Sequence, residues 1–106
     1  MTASAHPYRF RRLPIAEVAS RRVPVAVTLL SRLLGLSLLR PGRAGAGLLI
    51  PGCRSVHTFG MRFAIDLFFL DSERHPIAIV AGVGPNRIVR RPAAEAVLEL
   101  PSRAGR

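Results

Sequence analysis

A chain of 106 residues with a formal net charge of +10 suits one compact domain and is too short for two. Its 49% hydrophobic content excludes wholesale disorder, no run of about 18 uncharged apolar residues offers an ordinary membrane helix, and Cys53, the lone cysteine, can close no internal disulfide. All sixteen basic residues are Arg, a field that attracts phosphate backbones, anionic surfaces or acidic proteins, although a GC-rich genome would leave the same bias.

Residues 1–7 read as a loose end. Over residues 8–13 aromatic or apolar side chains alternate with Arg, the period-two pattern of a half-exposed strand. Arg9, Arg11 and Arg12 interleave there with Tyr8 and Phe10 alone, a thin surface for stacking bases. Pro24-Val25-Ala26-Val27 reads as a second short strand. Thr28 can then cap a helix, because its hydroxyl can accept an orphan N–H one turn on. At about 100° per residue, Leu29, Leu30, Leu33, Leu34 and Leu36 fall in one arc, predicting an amphipathic helix that ends near Arg40-Pro41-Gly42. An export reading competes here, since Ser20-Arg21-Arg22 before an apolar stretch imitates a twin-arginine signal. Pro24 and Arg32 interrupt that stretch, so cytoplasmic residence is expected.

Small residues from 42 to 47 form a loop. Leu48-Leu49-Ile50 is a short buried strand stopped by Pro51-Gly52. Between residues 63 and 70 only Asp66 breaks an apolar run, which predicts a central strand covered on both faces. Residues 71–75 turn the chain, 76–81 return as a strand, and 82–87 form an exposed loop. Ala96, Leu98 and Leu100 alternate with Val97 and Glu99, giving a final half-buried strand. Residues 102–106 are a second loose end. The expected architecture is α+β: one small domain over residues 8–101, with a curved, mostly antiparallel sheet and one amphipathic helix.

Asp66 is the first candidate for chemistry, because a carboxylate among apolar neighbours must find a partner or lose its charge. Arg54, Arg62 or His57 can supply that partner, making Asp66 a ligand-binding group or a general base. The plainer role, favoured on general grounds, is a structural anchor accepting backbone N–H groups at a strand bend. Cys53 and His57 stand four apart, the spacing of one helical turn, so Cys53, His57 and Asp66 could act as nucleophile, base and orienter. Pro51-Gly52 argues against a helix there, and lone cysteines usually pack. The same three residues lack a fourth ligand and any paired spacing, so no metal is expected. Gly82-Val83-Gly84 and Gly45-Ala46-Gly47 lack the rest of a nucleotide-binding motif and read as turns, so no cofactor is expected either. Met61, beside Phe59 and Phe63, reads as core.

The stretch Cys53-Arg54-Ser55-Val56-His57-Thr58-Phe59-Gly60-Met61-Arg62-Phe63-Ala64-Ile65-Asp66, followed by Phe69-Leu70-Asp71, resembles the domain of unknown function 192 family. Ser31-Arg32-Leu33-Leu34-Gly35-Leu36, Gly47-Leu48-Leu49-Ile50, Gly84-Pro85 with Arg87, and Val97-Leu98-Glu99-Leu100-Pro101 extend the likeness from residue 23 to residue 101 in the same order. The resemblance implies a small α+β domain with no established reaction, cofactor or catalytic residue, and hints at secretion or pilus machinery as partners. It also implies Trp-Met-Lys-Asn around residues 56–59 and an acid at Asp66, which favours Asp66 over His57 or Cys53. Two departures stand out. This chain has Ser72-Glu73-Arg74-His75 where the family has a turn glycine, and it lacks the strand that follows Leu-Glu-Leu-Pro, which would leave a sheet edge exposed near residue 101.

The expected function is a non-enzymatic accessory module that binds a small anionic ligand or a protein partner. Its site would use His57, Arg54, Arg62 and Asp66. A Cys53/His57 enzyme and an Arg-driven nucleic-acid binder are the alternatives, the latter less favoured.

Overall fold

A computed structural model describes residues 13–18, 20–26 and 47–102. Eight strands follow one another: β1 (Ile15–Val18), β2 (Arg21–Pro24), β3 (Leu48–Pro51), β4 (Ser55–His57), β5 (Ile65–Leu70), β6 (Pro76–Val83), β7 (Ile88–Arg90) and β8 (Ala96–Pro101). They form a four-stranded sheet in the order β3-β8-β5-β6, with two-stranded ribbons β1-β2 and β4-β7 beside it. Every ladder between these strands is antiparallel.

The α+β expectation is corrected to an all-β class: the described residues are 57% strand and contain no helix. Outside the Leu-rich stretch their side chains alternate or run apolar, so ladders between strands, not turns of helix, satisfy the backbone. The amphipathic helix expected over residues 28–40 lies outside the described residues, as does the strand expected at 8–13 apart from Leu13. Among the described residues no helix is long and apolar enough to cross a membrane. Arg21 and Arg22, which imitated an export signal, open β2 opposite Val18 and Glu17.

β5 is an inner strand, as its apolar run predicts, and it divides the core in two. Ile65, Leu67 and Phe69 face a cluster with Leu48, Ile50, Val56, Met61 and Val97. Leu70 and the half-buried Phe68 face a second cluster with Val18, Val23, Leu49, Leu98 and Leu100. The β4-β7 ribbon therefore closes over one face, through Val56 and Val89, and the β1-β2 ribbon over the other, through Val18 and Val23. β8 lies between β3 and β5, so the reading of a half-buried final strand is corrected. Val97 and Glu99 are buried along with Ala96, Leu98 and Leu100 because both faces are covered. Nor is the edge near residue 101 bare, since β8 is flanked on both sides and Ser102 N–H donates to the Ala64 carbonyl at 2.9 Å.

The β5–β6 turn shows how the chain manages without a turn glycine. Asp71 Oδ1 accepts the N–H groups of Glu73 and His75, each at 2.9 Å, while Asp71 N–H donates to the His75 carbonyl. The His75 N–H, chief among these donors, holds the Asp71 carboxyl below its ordinary value of 3.8. Arg74 takes the left-handed position, at φ +68. A residue with a Cβ resists that region by about 1–2 kcal/mol, part of which glycine returns through its freer unfolded chain. Arg74→Gly is therefore expected to stabilise the protein by about 0.5–1 kcal/mol in urea unfolding, with an unchanged slope.

Opposite Asp66 the β5-β6 ladder slips, because Ile65 pairs with Val83 while Leu67 pairs with Val80. The extra residue sits around Ala81 and Gly82, where Gly82 adopts φ +65. A β-bulge of this kind needs one left-handed position, which glycine occupies without strain. Residues 82 and 83 thus extend the return strand into what the sequence presents as a loop.

Candidate functional site

β4 and β7 pair with Ser55 opposite Arg90, Val56 opposite Val89 and His57 opposite Ile88. Alternation turns Val56 and Val89 toward the core. The same alternation leaves Ser55, His57, Ile88 and Arg90 exposed on the other face. Just past the strand, the Phe59 ring stacks on His57, with centroids 5.4 Å apart and planes 23° from parallel. Phe59 is 49% exposed and Ile88 66%, an apolar surface patch, while Met61 is buried in the core as the sequence suggests.

Thr58 lies between His57 and Phe59 with its side chain completely buried. Its hydroxyl donates to the Gly84 carbonyl at 2.8 Å and accepts the Arg87 N–H at 2.8 Å. Its own N–H donates to the Arg87 carbonyl, and its carbonyl accepts Asn86 N–H and Met61 N–H. One side chain thereby ties the 84–87 loop to the connection after β4 and holds the His57–Phe59 pair in position. The loop reaches it through Asn86, which takes a positive φ of 62.

Among the described residues no hydrogen bond or ion pair joins any two of the four expected site residues. His57 is on the open ribbon face and engaged with Phe59. Arg54 is exposed beside β4, where its carbonyl accepts Arg91 N–H at 2.8 Å. Arg62 is exposed in the connection between β4 and β5. Asp66, the second residue of β5, is half-buried and accepts the Gly82 N–H at 2.8 Å. Among the described residues no ion pair joins Asp66 to Arg54, Arg62 or His57. A strand bulge presents an amide at that point, and the carboxylate takes it.

The helical spacing proposed for Cys53 and His57 is corrected. Residues 55–57 are extended, and a strand advances about 3.3 Å per residue, twice the rise of a helix. Cys53 packs against the first core cluster and its S–H donates to the Ser55 carbonyl at 3.2 Å. Among the described residues no three His, Cys, Asp or Glu side chains gather as a metal site.

Sequence reasoning missed Thr58, Phe59 and Ile88. Ile88 carried a usable signal: Arg87-Ile88-Val89-Arg90 is an apolar pair between charges, bracketed by Pro85-Asn86 and Pro92 as turn residues. Thr58 carried none, since one threonine looks like any other until its partners, 26 and 29 residues away, are folded against it.

The family model DUF192, described as Uncharacterized ACR, matches residues 13–105. Among solved structures, a protein from Sinorhizobium meliloti 1021 provisionally named a transcription regulator superposes with a TM-score of 0.67. The two are 23% identical, and the match covers 83% of this chain and 78% of that one. A protein of unknown function from Novosphingobium aromaticivorans DSM 12444 superposes with a TM-score of 0.65 at 17% identity, covering 98% of this chain and 89% of that one. Likeness at these identities speaks for the fold alone. No curated protein matches the chain.

Proposed function

The chain belongs to the DUF192 family, whose members carry an uncharacterised domain, and from that premise we propose that it is a non-enzymatic binding module whose recognition face is the open side of the β4-β7 ribbon. The observation that carries this reading is the His57–Phe59 stack on the face that also exposes Ile88 and Arg90. Aromatic and aliphatic side chains held in the open next to Arg have the composition of an interface centre, where large rigid groups lose little entropy on contact. The net charge of +10 favours a partner that is negatively charged, so the ligand is an acidic peptide or protein segment with an apolar side chain among its acids. Arg62 adds charge to the surroundings, and Asp66 serves by holding the bulge at Gly82.

The Cys53/His57 enzyme draws less support, since the thiol faces the Ser55 carbonyl and the core while the imidazole lies against Phe59. Nucleic-acid binding is read from the Arg-rich charge as a whole, and the run that would test it, Arg9, Arg11 and Arg12, lies outside the described residues.

The test is amide and side-chain NMR during titration with a Glu-rich peptide carrying one Phe, with a Lys-for-Glu version as control. Shift changes are expected at residues 54–59 and 88–90 with the acidic peptide only. Phe59→Ser with Ile88→Ser is expected to weaken binding about tenfold or more, the size of losing an anchor at an interface. Equal binding of both peptides, or shifts confined to other faces, would overturn the reading.

A further inference from the structure

The β4-β7 ladder runs one pair beyond the strands at each end. Thr58 N–H donates to the Arg87 carbonyl at one end, and Arg91 N–H donates to the Arg54 carbonyl at the other, both at 2.8 Å. Both bonds keep the register that sets Ser55 opposite Arg90. Arg54 and Arg91 are therefore cross-strand neighbours. They stand two residues from Val56 and Val89, so they share the core-facing side of the ribbon, not the open face of His57 and Ile88. The Arg91 guanidinium reports the same side, because it lies over the ring of the fully buried Phe69, 5.8 Å from its centroid. At the ribbon's end that side meets water, and both arginines are exposed.

Like charges directly opposite one another destabilise a ladder. Among the described residues no carboxylate forms an ion pair with Arg54, Arg90 or Arg91. The acids at this end of the sheet are otherwise placed. Glu95 N–H donates to the Leu70 carbonyl and the Glu95 carbonyl accepts Gly52 N–H, while the Glu95 side chain is exposed and reaches neither arginine. Asp71 accepts the Glu73 and His75 N–H groups within its own turn, which also holds Arg74, and Glu73 stands 3.7 Å from His75. Arg90, on the other side of the ribbon, adds a third positive charge. Arg91 is also held in place: its Nη1 donates to the Arg90 carbonyl at 2.7 Å while Phe69 supports its face. A guanidinium fixed in this way gives up little freedom when it meets an anion.

We propose that Arg54 and Arg91 form an anion site for a phosphate monoester, on the side of the ribbon away from the peptide-binding face. Two neighbouring guanidiniums present two positive charges and two forks of N–H donors. That suits a dianionic group with three outer oxygens, whereas a single carboxylate would occupy one fork. Arg91 is the fixed half of the site, and Arg54 meets the same phosphate from the facing strand.

The test follows the arginine Nε–H signals by NMR at pH 7.5, with chloride holding the ionic strength constant. The titrants are glycerol 3-phosphate and a peptide with one phosphoserine. The Arg54 and Arg91 signals are expected to shift together and saturate; saturation by either titrant supports the site, and the tighter of the two names its source. Glutamate in place of the phosphoserine is expected to weaken binding about tenfold or more. Arg54→Gln is expected to do the same, the worth of one charge-assisted contact. Arg91→Lys keeps the charge but gives up the fork, and is expected to weaken binding as well. Arg22→Gln removes the same charge from the exposed side of β2 and is expected to change nothing. Thermal melts establish that each variant is folded. Shifts that never saturate, a glutamate peptide that binds as tightly, or an equal loss in Arg22→Gln and Arg54→Gln would overturn the proposal.

Discussion

Gly47→Ala is expected to destabilise the protein by about 3–5 kcal/mol, read as a lower denaturant midpoint with an unchanged slope. Gly47 enters β3 at φ +105, in the left-handed region, where a Cβ alone costs about 1–2 kcal/mol. The larger part is steric. A Cβ at that position would fall on the Glu99 carbonyl oxygen and on Leu100 Cδ2. The carbonyl belongs to β8, which is held on both sides by β3 and β5, so it cannot withdraw without breaking a ladder. Gly82→Ala makes a useful contrast. It shares the positive φ, but nothing lies within 4 Å of the added Cβ, so only the backbone cost of about 1–2 kcal/mol is expected. Equal losses in the two variants would show that crowding against β8 is not the cause.

Thr58→Val is expected to cost about 2–4 kcal/mol, because it keeps the shape and removes the hydroxyl. The Gly84 carbonyl and the Arg87 N–H then lose a buried partner, and each such orphan costs about 1–3 kcal/mol. Thr58→Ser retains the hydroxyl and is expected to lose only about 1 kcal/mol for the missing methyl group. The ordering Thr > Ser > Val in chemical denaturation is the diagnostic. The reverse ordering of Ser and Val would mean that the methyl group, not the hydrogen bonds, secures the loop. Thr58 also holds the connection that carries Phe59, so hydrogen exchange in Thr58→Val should speed first at residues 84–88.

Legibility in the sequence followed the length and purity of each pattern. The run from 63 to 70 announced an inner strand, and the neutral stretch after the turn announced the strand beside it. β4 and β7 stayed hidden because three residues cannot show a period against their neighbours. β8 was read as half-exposed since Glu99 looks like a solvent residue; it is buried because β3 and β5 flank it and both faces of the sheet are covered. The turn departure at residues 72–75 was visible, but not its solution, in which Arg74 takes the left-handed position and Asp71 gathers two amides.

The candidate site divides in the same way. Arg54 and His57 could be picked out by residue type, and Asp66 by the oddity of one acid in an apolar run. By itself, the amino-acid order determined the strong positive charge, the family and the inner strand β5, because each is a property of composition or of contiguous residues. Only the tertiary structure decided which amide Asp66, favoured in the sequence as an anchor for backbone N–H groups at a strand bend, would meet: that of Gly82 at a bulge. It alone decided that Phe59 and Ile88 share one open face with His57. Those outcomes depend on strand register and on pairing between residues far apart in the chain, which no local pattern of side chains encodes.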